Sequence, residues 1–340
     1  MGKYHGQEDI HSKHNRKLDV AHISHLTPNS RIFLLDMKIV IVNLLVIVFF
    51  TCCLSELESA GHSHSIHTSA SSIRLRTTEN FDVVSLFKPI HPKIPDSLGF
   101  DIYMAPLIIQ EIPPGGAGDM TDRFGFVTAD SSGHLHIDSA RPVVYYSQSY
   151  VDLGGSVYQQ ISYLWCYDRG NTDCFGKNMG IAVQGIRMTM DGTGSPEIIE
   201  VLDDTSNHRI LYVYTTLEEA VVNAFGKPLP GREYSIERNQ EDLPDAVVAR
   251  VVERGPEPSG PFVYIQSCSH NITTLLCRCE NTQFLDIEED ILYELLPIEE
   301  LVNVGINDTT WSREILNNKY PPSKEEKNLL LKVLRLPPEF

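Results

Sequence analysis

Basic side chains are scarce in this sequence of 340 residues, in which 28 Lys and Arg stand against 45 Asp and Glu. The resulting formal net charge of −17 makes a surface that repels phosphate backbones. The composition therefore argues against nucleic acid as a partner. Apolar residues are not scarce: they make up 42% of the chain, which is enough to bury a substantial core.

Local catalytic motifs are also missing. The sequence contains no Gly-x-Ser-x-Gly turn, no His-Glu-x-x-His zinc site, no Walker loop and no dinucleotide fingerprint. The stretch "PPGGAG", residues 113–118, predicts a loop without a phosphate-binding frame. Because distant residues can assemble a catalytic triad without a local pattern, the sequence leaves open whether the chain is an enzyme.

The sequence has one long apolar run, "MKIVIVNLLVIVFFTCCLS", Met37–Ser55. It is shorter than the about 20 apolar residues that a membrane-spanning helix needs, and small and polar residues follow it, as in a cleavable signal peptide. We expect a polar extension over 1–36, with translation starting at Met37 as an alternative, a signal over 37–60 cleaved near Ala60, and a flexible tether over 61–79. Lipidation at Cys52 or Cys53 and an uncleaved membrane anchor are the alternatives.

All three outcomes place the body of the protein outside the cytoplasm, in a periplasm, in the extracellular space or on the outer face of a membrane. That body is predicted to be one domain, residues 80–340, of the α+β class. Its strands are expected to form a mainly antiparallel sheet built from hairpins, such as the one around "DGTGS", residues 191–195. A mid-chain helix is predicted after Thr216, with Glu219 completing a capping box and Gly226 ending the helix. Further helices are expected from about residue 286.

Five cysteines lie in the exported body, and outside the cytoplasm such residues usually form disulfides. Cys166 and Cys174 flank a polar loop that a disulfide could close. In "SCSHNITTLLCRCE", residues 267–280, we expect one disulfide and a leftover thiol; a metal site that includes His270 and a redox centre are the alternatives. The disulfide candidates are therefore Cys166, Cys174, Cys268, Cys277 and Cys279.

Histidines offer a second route to a transition metal. His62, His64 and His67 lie near the predicted mature N-terminus, where an amine and imidazoles could hold copper or nickel. His134 and His136 are two residues apart, so a strand would place both imidazoles on one face. For each group, the simpler interpretation is a solvated surface or an ordinary core histidine.

Aromatic residues crowd the first predicted hairpin. On one strand face they could stack on a sugar or a peptide, although strand aromatics more often belong to the core. They are Tyr145, Tyr146, Tyr150, Tyr158, Tyr163, Trp165 and Tyr167.

The preferred function is an exported, noncatalytic domain that binds a protein or carbohydrate ligand through its sheet face or loops. Its basis is the export signal together with the lack of a reaction motif. A metal-dependent enzyme or metal-handling protein that uses the histidine or cysteine clusters is the first alternative. A hydrolase with dispersed catalytic residues is the second.

Overall fold

The structure of the protein is a computed structural model, and it describes nine stretches of the chain. They are residues 83–90, 100–112, 122–168, 181–202, 209–238, 246–255, 259–278, 287–304 and 324–338. All of them belong to one compact unit, Thr68–Phe340. Strands account for 54% and helices for 16% of the fold.

The described residues form strands β1–β13 and helices α1–α4, numbered along the chain. The strands are β1 Val84–Pro89, β2 Leu107–Glu111, β3 Phe126–Ala129, β4 Leu135–Asp138, β5 Val143–Leu153, β6 Ser156–Asp168, β7 Ile181–Met190, β8 Pro196–Leu202, β9 Arg209–Tyr214, β10 Ala246–Val252, β11 Phe262–Ile265, β12 Ile272–Leu276 and β13 Ile287–Pro297. The helices are α1 Phe100–Met104, α2 Thr215–Phe225, α3 Ile298–Val304 and α4 Lys324–Val333.

Eleven strands join in one mixed, nearly closed sheet, in the order β10-β9-β8-β7-β6-β5-β13-β1-β2-β11-β12. The run from β5 to β9 is antiparallel, whereas β13 lies parallel to both β5 and β1. The pairs β2–β11 and β9–β10 are also parallel. The sheet curls on itself, so that strands near its two edges meet: the Tyr212 hydroxyl of β9 donates to the Thr273 carbonyl of β12 at 3.4 Å.

Alternate side chains of each strand point into the curled sheet and fill it, as the twofold period of a strand requires. Phe124 lies in this interior, with its ring centroid 4.6 Å from that of Phe87, 6.1 Å from Tyr167 and 6.3 Å from Tyr293. Such tilted and edge-to-face pairs are the favoured geometries of aromatic rings. The interior is therefore a packed aromatic and aliphatic core.

Helices and a small hairpin cover parts of the outer face. A second cluster of buried apolar side chains joins β8, β9 and β10 to α2 and α4. A third joins β5, β6 and β7 to α3 and to the two-stranded sheet of β3 and β4. Among the described residues, no helix has the length and apolarity needed to cross a bilayer.

The predicted fold class, a mainly antiparallel sheet built from hairpins, is wrong. The turn signals correctly mark local hairpins such as β5–β6 and β7–β8, but four of the strand pairs are parallel. Partners such as β1 and β13 lie about 200 residues apart. A local sequence pattern carries no information on pairing over that distance.

The helix expected from about residue 286 is also wrong in its first part. Ile287–Pro297 is a strand, and its Ile291, Tyr293 and Leu295 alternate toward the core. The same spacing of apolar and acidic residues fits both periods in so short a segment. Pairing with β1 and β5 on its two sides decides the outcome.

The mid-chain helix α2 ends as expected but begins differently. Gly226 has φ +80°, and its N–H donates to the Val222 carbonyl, so the helix closes with a residue in the region that favours glycine. The predicted capping box is wrong, because Thr216 donates its hydroxyl to Glu197 instead of capping the helix. The first turn carries Glu218, which accepts hydrogen bonds from the backbone N–H groups of Ser235 and Ile236.

Candidate functional site: the barrel mouth

The two ends of the curled sheet carry different polar clusters. The loop from β11 to β12 places His270 at one end, and Arg278 follows β12 at the other. We call the first group, His270, Asp122, Gln110 and Tyr167, the His270 cluster. The opposite end, where α1, the β7–β8 turn, Arg254 and Arg278 lie, is called the mouth.

The His270 cluster is buried and held by hydrogen bonds and ring stacking. His270 Nε2 lies 2.7 Å from Asp122 Oδ1, and its ring stacks on Tyr167 with centroids 3.6 Å apart and an interplanar angle of 7°. Gln110 Nε2 donates to the Asp122 carbonyl, while the Tyr167 hydroxyl lies 3.5 Å from Gln110 Oε1. Both His270 and Asp122 are buried, so a substrate in solution does not reach this pair.

This cluster holds a strained loop. Cys268 and His270 have φ values of 60° and 53°, a region that L-residues other than glycine rarely adopt. The Cys268 N–H points to the Asp122 carboxylate, and the Ser267 N–H and hydroxyl both donate to Glu111 Oε2 at 3.1 Å. We interpret the His270 cluster as a structural clasp at this end of the sheet.

The cysteine prediction meets a divided outcome. Cys166 is buried in β6, and its predicted partner Cys174 lies outside the described residues, so the Cys166–Cys174 disulfide stays a prediction. Cys268 and Cys277 are both disulfide-bonded. Cys174 and Cys279 lie outside the described residues, so the connectivity stays a prediction.

The "HLH" histidines lie on the β3–β4 hairpin. His134 Nδ1 and His136 Nε2 are each 3.4 Å from Asp130 Oδ2, while Asp130 Oδ1 accepts the N–H groups of Ser132 and His134. The backbone hydrogen bond from His134 is the main factor that lowers the pKa of Asp130 to about 2. Within the described stretches, no group of three or more His, Cys, Asp or Glu side chains is arranged to hold a metal ion.

Several predicted sites lie outside the described residues. They are the histidines His62, His64 and His67 and the lipidation candidates Cys52 and Cys53. The signal segment over 37–60 and the tether over 61–79 lie there too. These predictions stay as they stand.

The mouth centres on Arg278, which follows β12 and is partly buried. One Nη atom donates to the Ala105 carbonyl, and the buried Nε has no hydrogen-bond partner in the described residues. Burial is the main factor that lowers the pKa of Arg278, and the groups that act most strongly on its charge are four tyrosines. These are Tyr293, Tyr163, Tyr214 and Tyr103.

Two of these tyrosines are oriented by the backbone. The Tyr163 hydroxyl donates to the Asp101 carbonyl at 2.6 Å, and the Tyr293 hydroxyl donates to the Pro106 carbonyl at 2.7 Å. With its hydrogen given to a carbonyl, each hydroxyl oxygen is left as an acceptor. Burial raises the pKa of both phenols, so they stay neutral and offset only part of the positive charge of Arg278.

Arg254 lies at the same end but is compensated by carboxylates. Its guanidinium contacts Glu197 at 3.1 Å and Asp191 at 3.5 Å. Burial raises the pKa of Glu197, although the Thr216 hydroxyl and Arg254 oppose this shift. Burial also acts to raise the pKa of Asp191, but hydrogen bonds, first from Thr193 and then from Ser195, lower it in total.

Helix α1 forms the exposed rim of the mouth. Phe100 is 37% exposed and Tyr103 is 42% exposed. A side chain on Gly260 would overlap the Met104 carbonyl, so glycine allows the chain before β11 to pass close under this helix. Asp101 accepts a hydrogen bond from the Gln148 side chain of β5 and thereby joins α1 to the β5–β6 hairpin.

The β5–β6 hairpin extends past the mouth and exposes the face that elsewhere points into the core. Tyr150 is 62% and Val157 is 70% exposed, while Val151, Leu153 and Tyr158 on the other face are buried against the outer cluster with α4. Gln159 donates to Gln148 at 3.3 Å on the exposed face. We call Gln148, Tyr150, Val157 and Gln159 the platform.

The aromatic prediction is resolved by position along the hairpin. Tyr145, Tyr163, Trp165 and Tyr167 are buried, Tyr158 is buried on the outer face, and Tyr146 is half-buried. Tyr150, beyond the mouth, is exposed. Most of these aromatics are core, and a few reach solvent where a ligand can contact them.

Sequence reasoning missed the mouth itself. Arg278 lies between two cysteines, and the segment was interpreted from its cysteines alone. Phe100 and Tyr103 carry no motif, and only the fold brings them to the same end as Arg254 and Gln148. The one available signal was the aromatic alternation of β5, which places Tyr146, Gln148 and Tyr150 on one face.

The mouth and the platform together form an open surface of exposed aromatic rings, side-chain amides and a guanidinium. Aromatic rings with polar groups beside them can hold a sugar ring or a peptide, because the rings contribute apolar area and the polar groups fix orientation. Comparison with known proteins adds no constraint on the ligand: no protein family, curated protein or solved structure matches the chain.

Proposed function

We propose that the protein is an exported, noncatalytic binding module whose mouth and platform bind a carbohydrate. The observation that carries this proposal lies in the β5–β6 hairpin. Beyond the mouth, the hairpin face that elsewhere points into the core is exposed, and it carries Tyr150, Gln148 and Gln159. A tyrosine ring beside two amides offers a stacking surface and hydrogen-bonding groups for sugar hydroxyls.

Export is proposed from the apolar run Met37–Ser55. The disulfide bonds of Cys268 and Cys277 suit an oxidising compartment. A noncatalytic role is supported by the His270 cluster, in which the buried histidine and aspartate hold a loop and face no solvent. These features favour a binding module over an enzyme.

The test is affinity electrophoresis of the full chain, recovered after export, in gels that contain a panel of neutral and acidic polysaccharides. We expect at least one polysaccharide to retard the wild type. Tyr150→Ala should weaken that binding about 2- to 10-fold, the range of one lost aromatic contact. Phe225→Ala is the matched control, because Phe225 is an exposed aromatic (44%) on α2, outside the mouth.

Retardation by no polysaccharide, or equal binding by the wild type and Tyr150→Ala, would refute the proposal. Incubation of the wild type with the same polysaccharides also shows whether reducing ends are released. Their release, lost on substitution of one side chain, would favour the hydrolase alternative. The metal-handling alternative predicts a stoichiometric transition metal in protein that was purified without added metal.

A further inference from the structure

Among the described residues, Arg278 is a partly buried cation without a carboxylate partner. Its Nε is buried without a hydrogen-bond partner in these residues, and one Nη atom donates to the Ala105 carbonyl. The groups that interact most strongly with its charge are tyrosines, which are neutral. Burial of an uncompensated charge is unfavourable in a protein interior, so this arrangement destabilises the fold unless a bound anion compensates the charge.

Four other arginines are paired with carboxylates. Arg254, at the same mouth, contacts two carboxylates, and Arg187 lies 3.8 Å from Glu200 on the outer face. Arg141 and Arg123 each bond a glutamate of β13. The fold therefore provides carboxylates to arginines at several places but leaves Arg278 beside the opening with tyrosines around it.

We propose that Arg278 is the recognition site for an oxyanion on the ligand, and that the carbohydrate bound at the mouth is an acidic one, with a carboxylate such as that of a uronic acid. The inference rests on the proposed carbohydrate function and specifies its substrate class. A guanidinium presents N–H groups in a planar fork that matches a carboxylate.

The surroundings fit a sugar acid better than a free inorganic ion. Tyr103, which acts on the charge of Arg278, is 42% exposed on the rim. Tyr163 also acts on the charge of Arg278 and donates its hydroxyl to the Asp101 carbonyl, while the Asp101 carboxylate accepts a hydrogen bond from Gln148 of the platform. A ring whose carboxylate contacts Arg278 would thus lie next to exposed aromatics, and the following sugars would extend over Tyr150.

The negative charge of the whole chain does not prevent this contact. Salt screens charges beyond about 8–10 Å, so distant acidic residues do little to weaken the binding of an anion at Arg278. Two carboxylates of the mouth, Glu197 and Asp191, are compensated by Arg254, and the Asp101 carboxylate accepts a hydrogen bond from Gln148. Arg278 is therefore the cation at the mouth without a carboxylate partner among the described residues.

The experiment uses isothermal titration calorimetry on the full exported chain with two matched probes, tri-galacturonic acid and its methyl ester. Wild type should bind the acid about 10-fold or more tightly than the ester, the effect of a charge-assisted hydrogen bond. Arg278→Met removes the charge at similar volume, and it should bind acid and ester equally. Arg278→Lys should restore part of the preference, because lysine keeps the charge without the fork.

The melting temperature distinguishes a loss of binding from a loss of folding in this test. Relief of the uncompensated charge should give ligand-free Arg278→Met a melting temperature equal to or above that of the wild type, by up to about 2–4 °C per kcal/mol regained. Arg141→Met is the second control. Arg141 pairs with Glu294 at 2.6 Å outside the mouth, and both side chains are well exposed, so we expect little change in the melting temperature and an unchanged preference for acid over ester.

Inorganic phosphate and sulfate form the remaining arms. If phosphate protects the wild type but not Arg278→Met against thermal unfolding, and neither sugar binds, the oxyanion site stands and the carbohydrate assignment is wrong. Equal binding of acid and ester by the wild type overturns the oxyanion inference and leaves carbohydrate binding intact. A preference for acid that survives in Arg278→Met overturns the assignment to Arg278, and binding of no probe overturns both proposals.

Discussion

Asp122→Ala offers the sharpest test of the structural role given to the His270 cluster. Asp122 accepts hydrogen bonds from His270 Nε2 at 2.7 Å and from the N–H of Cys268, and its own carbonyl accepts one from Gln110. The substitution removes the carboxylate that the strained loop contacts. Both imidazole and aspartate are buried, so water cannot replace the lost partner.

The expected cost is large. Loss of one partner of a buried, hydrogen-bonded ionisable pair costs about 3–5 kcal/mol. With an m-value of about 3 kcal/mol/M for a domain of this size in urea, the midpoint should fall by about 1–1.7 M. Trp165, buried in the core beside Phe124, provides a fluorescence signal for the transition.

Asp290→Ala is the matched control. Asp290 bonds Lys88 at 2.6 Å, but both side chains are well exposed, and an exposed pair contributes about 0–1 kcal/mol. Its midpoint should stay within about 0.3 M of the wild type. If Asp122→Ala unfolds with the same small shift as Asp290→Ala, then the His270 cluster does not hold the loop, and its assignment as a clasp is refuted.

Two further substitutions test the mouth and the core. Glu197→Gln should flatten the pH dependence of stability, because burial raises the pKa of Glu197 above its ordinary value of 4.5. In the wild type the folded state therefore binds more protons above pH 4.5, so stability falls as the pH rises through the folded pKa; an equal fall between pH 4 and pH 7 in both proteins would contradict this. Phe124→Ala should cost about 3–5 kcal/mol, because its ring packs against Phe87 in the closed interior. Tyr150→Ala, exposed beyond the mouth, should leave the urea midpoint unchanged, and an equal loss in the two variants would argue against a packed barrel core.

Local features of the fold were predictable from the sequence. Gly226 marks the end of α2, because a glycine tolerates the positive φ that closes the helix. The turns between β5 and β6 and between β7 and β8 follow from glycine and aspartate between aromatic or β-branched runs. In each case the information lies within a few residues of the structure that it determines.

Long-range features were not predictable in this way. The acidic segment Ile287–Pro297 reads equally as a helix face or as an alternating strand, and β1, about 200 residues earlier in the chain, makes it a strand. Glu219 has the spacing of a capping residue, yet Glu218 makes the bonds to Ser235 and Ile236. Competition among distant partners decided these cases, and a single sequence does not record it.

The candidate site shows the same division. The period of two along β5 is enough to place Gln148 and Tyr150 on one face. The role proposed for Arg278 depends on tyrosines that other strands place near it, and the sequence alone does not show this arrangement. His270 proved to be near Asp122, a residue 148 positions away, and this contact favours a clasp over a metal ligand.

Amide hydrogen exchange of the full chain, with and without tri-galacturonic acid, tests most directly the claim that the mouth and platform bind an acidic carbohydrate. The claim predicts slower exchange in Phe100–Met104 and along the β5–β6 hairpin near Tyr150 when the sugar is bound. The loop at His270, at the opposite end of the sheet, should exchange at an unchanged rate. Protection centred on that loop, or unchanged exchange throughout the mouth at a saturating concentration of sugar, would contradict the claim.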